Sequence, residues 1–131
     1  SPYRTLLIPG AISLLEELKG LYKMHIITNG FEEVQHIKLR ESGLDKYFEK
    51  VITSEAAGAK KPDLQIFDFA LSKTGALIED SIMIGDDLNT DIQGAINARM
   101  KSIYFNPAKK SHNYRVWAEV DSLSLIKNIL L

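Results

Sequence analysis

The sequence predicts an α/β fold in which a three-layer, Rossmann-like parallel sheet carries helices on both faces. Short apolar runs of strand length alternate with longer runs whose apolar residues recur at helical spacing. This alternation is typical of parallel sheets, because parallel neighbours are joined by crossover helices. Polar residues and glycines also follow the apolar runs, at the edge where such sheets bind ligands. We expect residues 1–131 to form a single domain.

Four strands are recognisable as short apolar runs closed by turn residues, which is few for a doubly wound sheet. The helices between them begin at proline or acidic residues and end at glycine, as helix termini commonly do. In the second helix we expect Val34 and Ile37 to face the core. The predicted strands are 24–28, 51–53, 81–84 and 102–105, and the predicted helices are 9–20, 32–42, 62–75, one after residue 91 and one beginning at residue 121.

Composition excludes several classes of function. The formal net charge is -1, so the chain lacks the basic surface of a nucleic-acid-binding or membrane-binding protein. It has no cysteine, which rules out a disulfide, a thiolate metal site and a cysteine nucleophile. No apolar run approaches the roughly 20 residues of a membrane span. We expect no nucleic-acid or membrane partner and a cytoplasmic location.

Clustered carboxylates follow the third predicted strand. Gly85 ends the strand, Asp86 and Asp87 come directly after it, and Asp91 follows within one helical turn. Carboxylates this close repel one another unless a cation lies among them, and Mg²⁺ prefers such oxygen ligands together with waters and a phosphate. The alternative is a strand-to-helix turn that carries two solvated aspartates and a helix-capping one.

Two other segments offer groups that bind phosphate. Thr28, Asn29 and Gly30 follow the first predicted strand and supply a hydroxyl and backbone amides. Lys61 stands directly before Pro62 at a helix start and supplies an ammonium. Alternatively, the first segment is a plain turn and the second an exposed helix start. The carboxyl ends of parallel strands lie at one edge, which favours a phosphate site beside a metal site.

These motifs, in this order, resemble those of the haloacid dehalogenase-like hydrolases. The family has a strand ending in Thr or Ser, a Lys just before a helix, and Gly-Asp with a second acid downstream. Here they correspond to Ile-Ile-Thr28-Asn29-Gly30, Lys60-Lys61-Pro62-Asp63 and Gly85-Asp86-Asp87 to Asp91. The segments around 28–31, 43–48 and 105–106 are most similar to the branch of pyrimidine 5'-nucleotidases.

The resemblance implies roles for seven residues and a Mg²⁺ cofactor. Lys61, rather than Lys60, would neutralise charge on the phosphate and on the nucleophile. The phosphate would be bound by Thr28, Asn29, Gly30 and Lys61, with Thr28 and Lys61 in catalytic roles, and the metal by Asp86 directly, with Asp87 and Asp91 completing or orienting its shell.

One family motif is absent. The family's nucleophile lies in an Asp-x-Asp-x-Thr sequence at the end of the first strand, and no Asp-x-Asp occurs in this chain. We therefore expect a family core that lacks its central strand and its cap domain. The neighbouring strands could close up, residues Tyr3 to Ile8 could fill the gap, or another polypeptide could do so, either the missing segment of a parent protein or a second copy.

The resulting expectation is a Mg²⁺-dependent phosphatase acting on a small phosphorylated metabolite, such as a nucleoside 5'-monophosphate. The intact protein would use an aspartyl-phosphate intermediate, and the chain alone would be inactive. The alternative from another class is a non-catalytic phosphate-binding or interaction module. A metal-free dehalogenase and a receiver domain agree less well with the three aspartates and their position in the chain.

Overall fold

The computed structural model describes residues 9–30 and 33–131, with the side chain of residue 35 excepted. Its strands are all parallel, and helices separate them along the chain except for the last two, which a loop joins; this confirms the predicted α/β class. One sheet pairs β1 with β2, and the other has the order β3-β4-β5. The strands are β1 (His25–Thr28), β2 (Lys50–Thr53), β3 (Ile82–Gly85), β4 (Lys101–Phe105) and β5 (Ala118–Val120).

The helices lie close to their predicted positions. A turn of π-helix, Leu88–Ile92, leads from β3 into α5, and the peptide bond between Lys61 and Pro62 is cis. No helix of the described segments is long and apolar enough to cross a membrane. The α-helices are α1 (Ala11–Leu18), α2 (Glu33–Glu41), α3 (Ser54–Ala57), α4 (Leu64–Thr74), α5 (Gln93–Ala98) and α6 (Ile126–Leu130), with 3₁₀ turns at Asp45–Tyr47, Ile78–Asp80 and Leu123–Leu125.

Hydrophobic side chains pack on both faces of the strands, giving the three layers that the sequence predicts. On one face, α1 and α6 pack against β4 and β5, with Ile103 and Ile126 fully buried. On the other face, Phe67 of α4 is also fully buried and packs in a cluster formed by α4 and α5. Ile27 of β1 and Met83 of β3 both contact this second cluster, so the two sheets share a core.

The two sheets are not joined by hydrogen bonds between β1 and β3. Within the described segments, β1 pairs only with β2, and β3 pairs only with β4. Closing up of the neighbouring strands, one of the three predicted ways to fill the gap, is therefore wrong. Residues 3–8, the second, lie outside the described residues, and another polypeptide, the third, stays a prediction. Ile84 of β3 is 37% exposed, as expected for an interior strand with one edge unpaired.

Helix α2 faces the core with a different side from the predicted one. Val34 is 52% exposed and Ile37 is 37% exposed, so the expectation that both face inward is wrong. Among the described side chains of this helix, Leu39 is buried, and it packs with Leu44 and Ile26. The helix packs against the segment that follows it, which contains Leu44, and this contact orients Leu39 toward the core.

Replacing Gly94 with alanine is expected to destabilise the protein by about 1–2 kcal/mol. Gly94 lies in α5, and a Cβ there would come closer than 3.0 Å to the ring of Phe67. Overpacking of a core costs about 1–3 kcal/mol, and so close an approach to a fully buried ring lies in the upper part of this range, about 2–3 kcal/mol. Alanine gains about 1 kcal/mol over glycine in helix propensity, which leaves the net loss of about 1–2 kcal/mol. Urea unfolding of the variant measures the difference.

The control for this variant is Ser72→Ala, at an exposed position of α4. Its free energy of unfolding should stay within about 0.5 kcal/mol of the wild-type value. A Gly94→Ala protein as stable as wild type would contradict the tight packing between α5 and Phe67.

Candidate active site

Lys61 lies at the junction of the two sheets. Its Nζ donates to the backbone oxygen of Ile27 in β1 at 2.9 Å and to Oδ1 of Asp91, beyond β3, at 2.6 Å. The Lys61 and Asp91 side chains are 11% and 9% exposed, so this is a buried ion pair. The two residues lie far apart in the sequence, but the structure brings together the lysine predicted to bind phosphate and the last aspartate of residues 86–91.

The side chain of Asn29 fixes the backbone of Lys61. Asn29 Oδ1 accepts from the Lys61 amide at 2.7 Å, and Asn29 Nδ2 donates to the Lys61 carbonyl at 3.1 Å. The Asn29 carbonyl in turn accepts from Ser54 Oγ at 3.0 Å. The turn after β1 therefore fixes the position of the Lys61 backbone through the Asn29 side chain. The sequence did not predict this role for the Asn29 side chain.

Thr28 is buried and its hydroxyl closes the turn after β1. Oγ1 donates to the Gly30 carbonyl at 2.7 Å and accepts from the Gly30 amide at 3.3 Å. These predicted phosphate-binding groups, Thr28 and Gly30, thus lie within one turn and bond to each other. Their binding of a phosphoryl oxygen stays a prediction, and it requires the hydroxyl to rotate away from the carbonyl.

Asp86 and Asp87 are exposed at the carboxyl end of β3. Asp87 caps the following helical turn, since its Oδ1 accepts from the amides of Asn89 and Thr90 at 2.9 and 3.0 Å. The Asp86 carboxylate makes no hydrogen bond or ion pair within the described chain. One carboxylate is therefore held in place by its own loop, and the other remains open to a ligand.

Asp91 differs from the other two acids because it is buried. Its Oδ1 pairs with Lys61, and its Oδ2 accepts from the Asp87 amide at 3.3 Å. Gly85 leaves the room for it, since a Cβ at that position would come closer than 3.0 Å to the Asp91 side chain. Asp91 thus ties the lysine to the loop that carries Asp86 and Asp87.

The described residues contain no group of three histidine, cysteine, aspartate or glutamate side chains arranged to hold a metal ion. Asp86 and Asp87 nonetheless fit Mg²⁺, which takes one or two carboxylates and completes its octahedron with water and substrate phosphate. Asp91 is directed at Lys61 and the Asp87 amide, so it would orient this loop and the lysine. The predicted ligand set of Asp86, Asp87 and Asp91 stays a prediction.

The carboxyl edge of the second sheet carries negative charge. Burial raises the pKa of Tyr104, and the nearby carboxylates of Glu119, Asp86 and Asp87 raise it further. Tyr104 lies in β4 in register with Gly85 on one side and Glu119 on the other. A cation beside Asp86 and Asp87 would therefore lie in a favourable field.

Among the described residues, the ammonium of Lys61 has two hydrogen-bond partners, which leaves one N–H for a ligand. An ammonium has three donors, and two of them go to the Ile27 carbonyl and to Asp91. The third can donate to an oxygen of a bound anion at the junction of the sheets. A phosphate there would meet this donor on one side and a carboxylate-bound cation on the other, which is an arrangement suited to phosphoryl chemistry.

The family model described as haloacid dehalogenase-like hydrolase matches residues 3–105. The chain belongs to this family. Among its relatives, the pyrimidine 5'-nucleotidase YjjG of Escherichia coli is 41% identical over 100 residues, which are 76% of this chain and 44% of the relative. The glyceraldehyde 3-phosphate phosphatase of Methanothermobacter thermautotrophicus is 36% identical over 130 residues, 93% of this chain and 58% of the relative. The predicted resemblance, including the nucleotidase branch, is confirmed.

Solved structures agree with the fold. The HAD-hydrolase YfnB of Bacillus subtilis, in a form bound to magnesium, superposes with a TM-score of 0.88 at 30% identity, covering 94% of this chain and 55% of that one. A HAD phosphatase from Thermococcus onnurineus gives 0.84 at 32% identity, with 93% and 57% covered. This chain spans about half the length of the curated relatives it matches, 44% and 58% of the two above.

Proposed function

We propose that this chain is the core segment of a Mg²⁺-dependent phosphatase that hydrolyses a small phosphoric monoester. The observation that carries the proposal is the buried pair of Lys61 and Asp91 at the carboxyl edge of the sheets, beside two exposed aspartates. Family membership supports it, because relatives from several organisms are named phosphatases or nucleotidases. Residues 1–131 would form the core domain of a longer protein.

Each residue has a role in this proposal. Lys61 donates its remaining N–H to a phosphoryl oxygen and is held in position by its ion pair with Asp91. Thr28 and the amides of Asn29 and Gly30 bind the other phosphoryl oxygens. Asp86, with Asp87, holds Mg²⁺, which when bound offsets negative charge on the phosphate.

The nucleophile in this proposal comes from outside the chain. An aspartate oxygen at the junction between β1 and β3 attacks phosphorus, and the ester P–O bond breaks as the alcohol leaves with a proton from a general acid of the same external segment. Water then hydrolyses the acyl phosphate to inorganic phosphate and the free aspartate. Among the described residues, β1 and β3 each have one edge without a partner strand, which supports a strand at that junction. The chain by itself is therefore expected to be inactive.

For the substrate we propose a phosphorylated small metabolite, with pyrimidine nucleoside 5'-monophosphates as the first compounds to test. Two matched relatives carry the name pyrimidine 5'-nucleotidase, from Escherichia coli and Streptococcus pneumoniae. Other relatives carry the name glyceraldehyde 3-phosphate phosphatase, so this sugar phosphate is the second compound.

The test is release of inorganic phosphate from both substrates by two proteins, with Mg²⁺ and with EDTA. One protein is this chain, and the other carries it behind an Asp-x-Asp-x-Thr strand and a cap. We expect turnover by the longer protein only, and its loss in EDTA. Turnover by this chain alone would refute the external nucleophile, and no turnover by either would favour a non-catalytic phosphate-binding module.

A further inference from the structure

A tyrosine of the loop between β4 and β5 bonds the acidic loop, which we define as residues 86–91. Tyr114 Oη donates to Asn89 Oδ1 at 2.8 Å. The backbone amide of the same Asn89 donates to Asp87 Oδ1 at 2.9 Å. Asn89 therefore connects Tyr114 to the carboxylate that the acidic loop presents beyond β3.

Tyr114 is itself fixed by His112. The Tyr114 amide donates to His112 Nδ1 at 3.1 Å, and the two rings lie 6.2 Å apart. Because Nδ1 accepts this bond, a neutral His112 carries its proton on Nε2 and donates it to Glu119 Oε1, 2.7 Å away. The edge of the imidazole also meets Tyr104, with the ring centroids 5.1 Å apart.

The contacts continue from Glu119 into the sheet. Glu119 stands in β5, and its Oε2 accepts from Nδ2 of Asn106 at 3.0 Å. Asn106 is 3% exposed and also bonds the amide and the carbonyl of Lys110. The hydrogen bonds from Asn106 and from His112 lower the pKa of Glu119. Tyr114 is thus connected through His112 and the exposed Glu119 to the buried side chain of Asn106.

We propose that Tyr114 is a positioning residue for the divalent-cation site. Its hydroxyl holds Asn89, and thereby the loop that carries Asp86 and Asp87, in the conformation in which both carboxylates are presented at the edge of the sheet. The proposal rests on the proposed function, because it takes these two aspartates as cation ligands. Within the described chain, Tyr114 is the one group that bonds the Asn89 side chain, whereas Asp87 and Asp91 hold the backbone of the loop.

The first test is independent of metal. Tyr114→Phe removes only the hydroxyl, and it should speed amide hydrogen exchange at Asn89 and Thr90 about fivefold, as expected for loss of one hydrogen bond. Tyr22→Phe is the matched control, since it removes a hydroxyl that donates to the Leu130 carbonyl at 2.7 Å, on another surface. Exchange at Asn89 and Thr90 that is equal in both variants would overturn the proposal.

The second test measures Mn²⁺ affinity by electron paramagnetic resonance on the full chain and on the longer protein. Tyr114→Phe and Asn89→Ala should each weaken binding about fivefold, and the double variant should be no weaker than either one, because the two groups form one contact. Tyr22→Phe should bind like wild type. Additive losses would overturn the proposal.

The two proposals fail in different ways. If wild-type protein does not bind Mn²⁺ in either form, the proposed metal-dependent function fails, and hydrogen exchange still decides the role of Tyr114. If wild type binds Mn²⁺ and Tyr114→Phe binds it equally well, the positioning role fails and the proposed function stands.

Discussion

Replacing Lys61 with methionine is expected to lower phosphate release by the longer protein about 10²- to 10³-fold, the usual effect of losing a donor to transition-state charge. The same change should lower the free energy of unfolding by about 3–5 kcal/mol, because it leaves the buried Asp91 carboxylate unpaired. Steady-state kinetics with a nucleoside monophosphate and urea unfolding measure the two effects. Methionine preserves most of the volume, so loss of packing contributes little.

Two further variants separate catalysis from stability. Lys60→Met alters the neighbouring exposed lysine, and both activity and stability should stay close to wild type. Lys61→Met combined with Asp91→Asn removes both charges, so stability should recover in part while activity does not. A large loss of activity in Lys60→Met with none in Lys61→Met would show that the wrong lysine was assigned to the site.

The sequence was sufficient to predict the sheet edge that carries the site. Thr28, Lys61 and Asp86 follow strands or precede a helix, and parallel strands place such positions at one edge. Local signals also located most helices, because glycine and proline mark their ends. The buried pair needed the structure, since Asp91 lies 30 residues from Lys61 and nothing local distinguishes it from a capping aspartate.

Other features were missed because their signal is weak or distant. β5 has three residues, of which only Val120 is buried, so it lacks the apolar run of a strand. The packing of Leu39 on Leu44 determines which side of α2 faces outward, and helical periodicity alone does not predict this contact. Tyr114 and Asn89 lie 25 residues apart in the sequence, and neither residue type is unusual in a loop. Such contacts depend on how the loops fold back on the sheet.

Replacing Gly85 with alanine is expected to lower the free energy of unfolding by about 2–4 kcal/mol, although the change adds one methyl group. The new Cβ would come closer than 3.0 Å to three atoms of the Asp91 side chain. Asp91 is 6% exposed and bonded through both oxygens, so it cannot move without weakening its bond to Lys61 or to the Asp87 amide. Urea unfolding measures the loss.

Gly30→Ala provides the stability control, because no atom of the described residues lies within 4 Å of the position of its Cβ. Its free energy of unfolding should change by no more than about 0.5 kcal/mol. A Gly85→Ala protein that is as stable as this control would show that Asp91 has room to move, and that the ion pair does not constrain the acidic loop.

The combination of Gly85→Ala with Lys61→Met tests whether both changes act through the same ion pair. Once Lys61 is gone, moving Asp91 no longer breaks a charge pair, so the double variant should lose less stability than the sum of the two single losses. Additive losses would mean that the methyl group acts only by overpacking β3. If the double variant instead loses less than this sum by about 1 kcal/mol or more, the difference matches the coupling expected for residues in contact. That result would show that Gly85 maintains the lysine at the site by leaving space for Asp91.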